Sequence, residues 1–536
     1  MRAVLDKIAK RPWILAAVLL CAGAGVASVA LGPDDNWDLL YYHLYAPYAY
    51  LHGRYLYDLG PAQSQGFLNP VADFLFYGLV SSPANDTPRL VAFVMGAVHG
   101  INAVLVLAIA VQVLRPAAAW ERWTLRGAAF VMGTSGAGFA SLLGTTTNDL
   151  INAIFVLASL LCLLRLAAAD DEGSWRGGFA WAGLWAGVAV GLKYTAAIYL
   201  PGLGLVALVA AQRRRSVIGP AAFAAAALAG FLAVAGHHLL VLWQDFGNPL
   251  FPFLNDVFRS PYYEPQAIRD VRFLPRDLAQ LIAYPFYWTK TKIYVVTEFP
   301  FRDWRGAIAY VALLAALPAL IAPRAFDRWR GASGGTDVRG LGLIVLFVVV
   351  SFVCWELAFG IYRYGVVLEM LTGVVTLGAL TRLIAHARVR VAAGLAVLAL
   401  ALATTVYFDW GRGEYDDQYV NIDVPPLPPH SVVLIATWQP VAYFIPYAEP
   451  SARFVGIENN YLELSQTNKL ATEVKRVMRT PGLPKFVLSV GAFKRDKIDR
   501  LLANFGLKLS GAPCEPIESN LATADDEALS LCPVAE

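Results

Sequence analysis

The chain has 536 residues, of which only 15% are charged while 57% are hydrophobic and 12% aromatic; an ordinary globular chain carries about 25% charged residues. At a mean hydropathy of +0.52, no water-exposed surface can cover this apolar mass, which excludes disorder, collagen and coiled coil and puts most of the chain in lipid. A net charge of +3 gives no broad basic field, so nucleic acid is excluded as a partner and electrostatic arguments have to be local.

In chain order, Arg2, Lys7, Lys10 and Arg11 precede an uncharged run over 13–31, too long for a signal-peptide core, which reads as an uncleaved first span. About 20 apolar residues cross the hydrocarbon core. Further spans are therefore predicted near 89–114, 127–143, 151–168, 177–192, 195–211, 218–242, 306–322, 339–360, 364–383 and 391–408, about eleven in all. Arginines gather in alternate connections: Arg115, Arg122 and Arg126; Arg165 and Arg176; Arg213, Arg214 and Arg215; Arg324, Arg328 and Arg330; Arg382, Arg388 and Arg390. Loops of that kind stay cytoplasmic, which puts the N-terminus on the same side. The opposite loops, 32–88 and 243–305, are long and rich in Asp, Pro, Tyr and Trp and face the periplasm. The stretch 67–80 holds Pro70 and Asp73 and suits an interfacial or re-entrant helix better than a crossing.

The reading is thus an all-α polytopic membrane domain over 1–408, a linker over 409–429 with the Pro-rich run 424–429, and a small α/β periplasmic domain over 430–536. In the last, 431–436 and 485–490 read as buried strands and 465–478 as a surface helix. Cys514 and Cys532 are positioned to pair if that segment meets an oxidising space, or remain two thiols if it does not. Cys21, Cys162 and Cys354 fall inside apolar runs as small hydrophobes.

Charges at a membrane boundary are costly, about 2.5–3.5 kcal/mol at mid-bilayer on insertion scales, and so carry information. Asp34, Asp35 and Asp38 directly follow the first span. They suit either a solvated, Asp-capped interfacial helix or a general base or metal site at the surface. A divalent ion is compatible with the cluster, though no ligand spacing demands one.

Asp38, Tyr42 and Gly53 keep the spacing found after the first span of the GT-C lipid A aminoarabinose transferases and their protein mannosyltransferase relatives, which the chain resembles. Asn69-Pro70 stands where the transferases have Lys-Pro, and 145–150 (TTTNDL) resembles their second outer loop, where an Asp opens the fourth span. The segments 247–253 and 362–364 look like elements of GT-C-type membrane proteins.

The resemblance implies an inverting glycosyltransferase of a bacterial inner membrane. It would move a sugar from a polyprenyl-phosphate donor to a lipid, glycan or protein acceptor on the outer face. On that reading Asp38 is the general base, with Asp34 and Asp35 as rivals and Asp149 as a further catalytic candidate that serves equally as a helix N-cap. Lys193 and Arg363 are phosphate partners, since Arg363 breaks the positive-inside pattern and its fork matches phosphate; snorkelling is the alternative for Lys193. Tyr42, His43, Glu298, Arg302 and Tyr364 complete the substrate-binding candidates, Glu298 and Arg302 from a loop that equally suits an interfacial aromatic collar. Glu356 and Glu369 read as internal ion-pair partners of Arg363. Two other classes remain: a multi-span transporter or flippase, and an O-antigen ligase or polymerase. Convergence of Asp38, Asp149 and Arg363 within about 10 Å on one outward cavity separates the transferase from these.

Overall fold

The computed structural model describes residues 12–169, 177–291, 299–323, 325, 326, 338–459, 461–491, 495–521, 524 and 527–536. The basic residues before position 12, Arg176, Arg324, Arg328, Arg330 and the candidate Glu298 lie outside these. Among the described residues, eight helices are long and apolar enough to cross a membrane: Pro12–Leu31, Pro88–Val113, Asp149–Ala168, Tyr194–Arg213, Gly219–Phe246, Gly340–Ala358, Tyr362–Leu383 and Ala387–Thr404. Leu19, Val26, Leu228 and Leu232 project outward from them, an arrangement stable only where the surrounding solvent is itself apolar. Helices approach closely where small residues meet. A Cβ at Gly187 would lie 1.9 Å from the Ala227 carbonyl oxygen and one at Gly230 would lie 2.4 Å from that of Leu184, so Gly178–Leu192 and Gly219–Phe246 cross backbone against backbone.

Among the described residues eight segments, against the expected eleven or so, meet the length and composition of a span. Gly178–Leu192 and Arg305–Ile321 are shorter apolar helices. The predicted crossing at 127–143 is divided, because Ala119–Thr134 begins earlier, carries Glu121, Arg122 and Arg126, and stops before a second short helix, Ala137–Leu142. The interruption has a local cause. Glu369 fills the space beside Gly136, where a Cβ would lie 1.7 Å from its Oε1, and it accepts the N–H groups of Gly138 and Phe139 at 2.8 and 2.9 Å. Glu121 in turn accepts from Arg390 at 2.6 Å. The stretch 67–80 forms a 3-10 turn, Pro70–Asp73, that runs into a short α-helix, Phe74–Val80.

The C-terminal segment builds a mixed sheet from β1 (Ile422–Asp423), β2 (Val432–Ile435), β3 (Arg453–Gly456), β4 (Lys485–Val490), β5 (Lys508–Leu509), β6 (Glu515–Ser519) and β7 (Leu529–Ala535). Their order is β1-β6-β7-β4-β2-β3, with β5 beside β7. β2 runs parallel to β3 and β4, with Val433 opposite Phe454 and Phe486, and its fully buried Val-Val-Leu-Ile run is what a strand covered on both faces requires. The helix Lys469–Arg479, capped by Asn468, covers the sheet with Leu470, Val474 and Val477. Cys514 and Cys532 form a disulfide; Cys21, Cys162 and Cys354 are free thiols.

The sheet does not stand apart from the first loop. Leu59 donates to Phe454 O and accepts from Gly456 N, extending the sheet by one bridge. Beside it Arg54 and Asp58 form a buried pair at 2.8 Å, with Arg54 also donating to Pro450 O and Ala452 O and Phe454 N donating to Asp58. Leu39, Phe67, Phe251, Val433, Phe454 and Tyr461 share one apolar core. Each such side chain contributes roughly 1.5–3 kcal/mol relative to exposure, so loop and sheet hold each other.

Candidate functional site

Past the first span the acidic triplet divides in three directions. Asp34 is buried and accepts from Thr146 N and Oγ1, both at 2.7 Å, and from Asn36 Nδ2 at 2.7 and 2.6 Å. It ties the end of the first span to the 145–148 loop. Asp35 joins the returning chain, its N–H donating to Gly411 O at 3.1 Å. Asp38 alone enters the charged cluster.

Asp38 precedes a π-helical turn, Leu39–His43. The i→i+5 pattern of such a turn brings residues five apart to the same side, and π turns recur at functional sites. Asp38 pairs with Arg363, which stands in the turn Tyr362–Gly365 between two spans. Arg363 also lies 3.9 Å from Asp149 Oδ2. Asp149 opens its helix because Asn148 takes a left-handed conformation, φ 63°, that turns the chain into the first helical residue. Lys193 bonds Asp149 Oδ1 at 2.7 Å and Thr147 O at 2.9 Å. Aromatic rings floor the cations: Lys193 Nζ is 5.1 Å from the Tyr364 centroid, and the Arg363 guanidinium is 5.3 and 5.2 Å from Tyr364 and Trp410. The four charges alternate in sign, so none is buried without an opposite neighbour.

Burial alone would raise the proton affinity of Asp38, but Arg363, His43 and Lys193 outweigh it and hold the carboxyl below the usual range. Tyr42 is buried beside it, and burial with the Asp38 charge pushes its hydroxyl well above the ordinary value. His43 is fully buried, 4.1 Å from the Tyr42 ring, with Nδ1 2.6 Å from Asp73 Oδ1; Asn148 Nδ2 donates to the same oxygen at 2.5 Å.

The structure therefore brings Asp38, Asp149, Lys193, Arg363, Tyr364, Tyr42 and His43 together. Arg302 instead donates to Thr404 O at 2.7 Å, its backbone paired with Val406, and the Asp35 backbone faces 411. Glu369 bonds the Tyr362 hydroxyl at 2.5 Å and the 138–139 backbone, while Arg363 takes Asp38 and Asp149, which corrects the sequence expectation of a glutamate pair for Arg363. Asn69 donates to Gly191 O at 2.6 Å, a structural use of the position where the transferases carry Lys. Asp73, Asn148, Thr147 and Trp410 are not named as site residues from sequence; the signals for them are an aspartate within the apolar stretch 67–80 and the 145–150 segment. Among the described residues no three His, Cys, Asp or Glu side chains gather as metal ligands. The divided acidic triplet does not fit a divalent ion.

A small cleft of about 220 Å³ is lined by Asp149, Asn152, Arg363 and Tyr364. Beyond the 362–365 turn lies a partly open apolar cavity lined by Trp288, Tyr310, Phe352, Trp355 and Leu368 and reaching Tyr362 and Gly365 on either side of Arg363.

No protein-family model and no curated protein matches the chain. Solved structures similar to it include ArnT from Cupriavidus metallidurans bound to undecaprenyl phosphate, at 12% identity and a TM-score of 0.39 over 97% of this chain and 98% of that one. The oligosaccharyltransferase of Archaeoglobus fulgidus is similar in its apo form, at 13% identity and a TM-score of 0.43 over 91% of this chain and 71% of that one. Its form tethered to an acceptor peptide containing the NVT sequon gives 12% identity and a TM-score of 0.40, over 93% and 71%.

Proposed function

We propose that the chain is a GT-C-type membrane glycosyltransferase that moves a sugar from a polyprenyl-phosphate donor to a hydroxyl-bearing acceptor at the outer membrane face, with inversion. The observation that carries this reading is the meeting of Asp38 from the first loop with Arg363, Asp149 and Lys193 from three distant segments. A phosphoryl sugar needs cations for the departing phosphate and a base for the incoming hydroxyl, within reach of one another. The cluster supplies both.

Arg363 is shared. In the resting protein its guanidinium bonds Asp38, yet its fork equally suits phosphate oxygens. A donor phosphate bound by Arg363 and Lys193 would draw the guanidinium off Asp38. Freed of that neighbour but still buried, the carboxyl gains proton affinity and becomes the better base. Donor binding thus arms the acceptor side. Asp38 takes the hydroxyl proton, the acceptor oxygen attacks the anomeric carbon, and the phosphate leaves from the opposite face. The apolar cavity beyond the 362–365 turn supports a lipid tail entering from the bilayer while its phosphate reaches Arg363.

The test is incubation of the purified protein with a panel of polyprenyl-phosphate sugars, following release of polyprenyl phosphate. At least one donor should be turned over by the wild type and not by Asp38→Asn. Release from none would contradict the reading and favour a transporter.

A further inference from the structure

His43 has more structure around it than substrate contact demands. The imidazole is fully buried. Its Nδ1 faces Asp73 at 2.6 Å, and Asp73 is itself held by the Asn148 amide at 2.5 Å. A carboxylate at that distance keeps the ring proton on Nδ1, leaving Nε2 as the atom with the lone pair. Nε2 is buried and makes no hydrogen bond to any of the described residues. A buried polar atom without a partner costs about 1–3 kcal/mol, a cost that is retained where the atom has a ligand to meet. Asp73 comes from the Pro70–Asp73 turn and Asn148 from the residue before the Asp149 helix, so two separate elements are spent on orienting one ring.

The π turn supplies the connection to chemistry. Asp38 and His43 are its flanking and last residues, five apart, one bonded to Arg363 and the other to Asp73. The titratable groups facing the imidazole are Asp73 from the 70–73 turn, Asp38 and Tyr42 from its own turn, and beyond Asp38 the Arg363 and Lys193 cations.

We infer that His43, oriented by Asp73, is a further catalytic residue of this site: it receives from Asp38 the proton taken off the acceptor hydroxyl. This rests on the transferase reading above. The acceptor O–H bond breaks and its oxygen bonds the anomeric carbon. The carbon–oxygen bond to phosphate breaks with its electron pair going to the phosphate. The proton passes from the hydroxyl to Asp38 and on to His43 Nε2. The imidazolium so formed is stabilised by the Asp73 carboxylate and returns its proton to solvent after the products leave. Because Arg363 returns to Asp38 once the phosphate departs, the protonated carboxyl must unload quickly, and the unpartnered Nε2 five residues along the same turn is the acceptor for it.

The experiment compares wild type, His43→Gln and Asp73→Asn in steady-state transfer, using a polyprenyl-phosphate sugar the wild type turns over. His43→Gln should lower kcat by ~10²–10⁴-fold, the usual worth of a positioned proton-transfer group, with donor KM little changed. Asp73→Asn should lower kcat by a smaller factor with donor KM little changed, since the ring remains and its orienting partner is weakened; this arm decides the matter if His43→Gln fails to fold. Wild-type kcat in both variants would overturn the inference while leaving the transferase reading intact. Absence of transfer by the wild type would sink both.

Discussion

Two clusters of buried charge flank the turn Tyr362–Gly365, and they are finished differently. On one side Arg305 bonds Asp303 at 2.7 Å and also donates to Met132 O, Ser135 O and Thr405 Oγ1, while Glu369 takes the Tyr362 hydroxyl and two backbone N–H groups. Arg305 and Asp303 are 1% and 0% exposed. On the other side Arg363 and Asp38 are 12% and 14% exposed, and among the described residues Asp149 Oδ2 accepts no hydrogen bond and His43 Nε2 has no hydrogen-bond partner. A cluster that serves stability spends its valences on backbone and joins helices. One that serves a ligand keeps acceptors in reserve and shares its cation.

That contrast is best broken by exchanging the outcomes. Arg305→Ala leaves Asp303 buried without its cation and should cost about 3–5 kcal/mol, read as a lower unfolding temperature in detergent. Asp38→Asn leaves Arg363 with Asp149 as a second carboxylate and should lower the unfolding temperature less than Arg305→Ala, while transfer falls by ~10²–10⁴-fold. If Arg305→Ala melted like wild type, the closed cluster would have lost its structural role.

Arg363→Lys keeps the charge and loses the fork. Donor KM should rise by roughly tenfold or more, since one charge-assisted bond is worth about 1.5–3 kcal/mol. The pH response sharpens the point. Asp38 is held low in the folded protein, so its stabilising contribution is present above the unfolded carboxyl range and lost as pH falls through the depressed value. In Arg363→Met burial acts with its main opponent removed, and the carboxyl moves upward. That variant should gain stability relative to wild type as pH falls toward 4, a trend that unfolding curves at several pH values will reveal. The smallest effect belongs to Tyr362→Phe, which removes one bond to Glu369 that keeps two others: about 0.5–1.5 kcal/mol in unfolding.

Much of this was legible because lipid makes charge informative. Asp38, Asp149, Lys193 and Arg363 stand out in sequence as charges at the ends of apolar runs, and all four meet. The strands at 432–435 and 485–490 were legible from their apolar runs. What sequence could not give is what depends on distant partners. The three neighbouring aspartates look equivalent until Thr146 claims Asp34 and Arg363 claims Asp38. The helix break at Ser135–Gly136 is invisible because its cause, Glu369, lies far along the chain. His43 could be named, but Asp73, which faces its Nδ1, and Asn148, which holds Asp73, come from separate loops. Glu356 and Glu369 read as partners for Arg363 only because nothing in the sequence says that Tyr362 and the 138–139 backbone reach Glu369 first.

The central claim is that one guanidinium serves a carboxylate at rest and a phosphate in action. Calorimetric binding of a polyprenyl phosphate to wild type, Asp38→Asn and Arg363→Gln tests it directly. Asp38→Asn should bind at least as tightly as wild type, since the competing carboxylate is gone. Arg363→Gln should bind ~10-fold or more weakly, about 1.4 kcal/mol per decade. Weakening of both variants to the same degree, or of neither, would contradict the account.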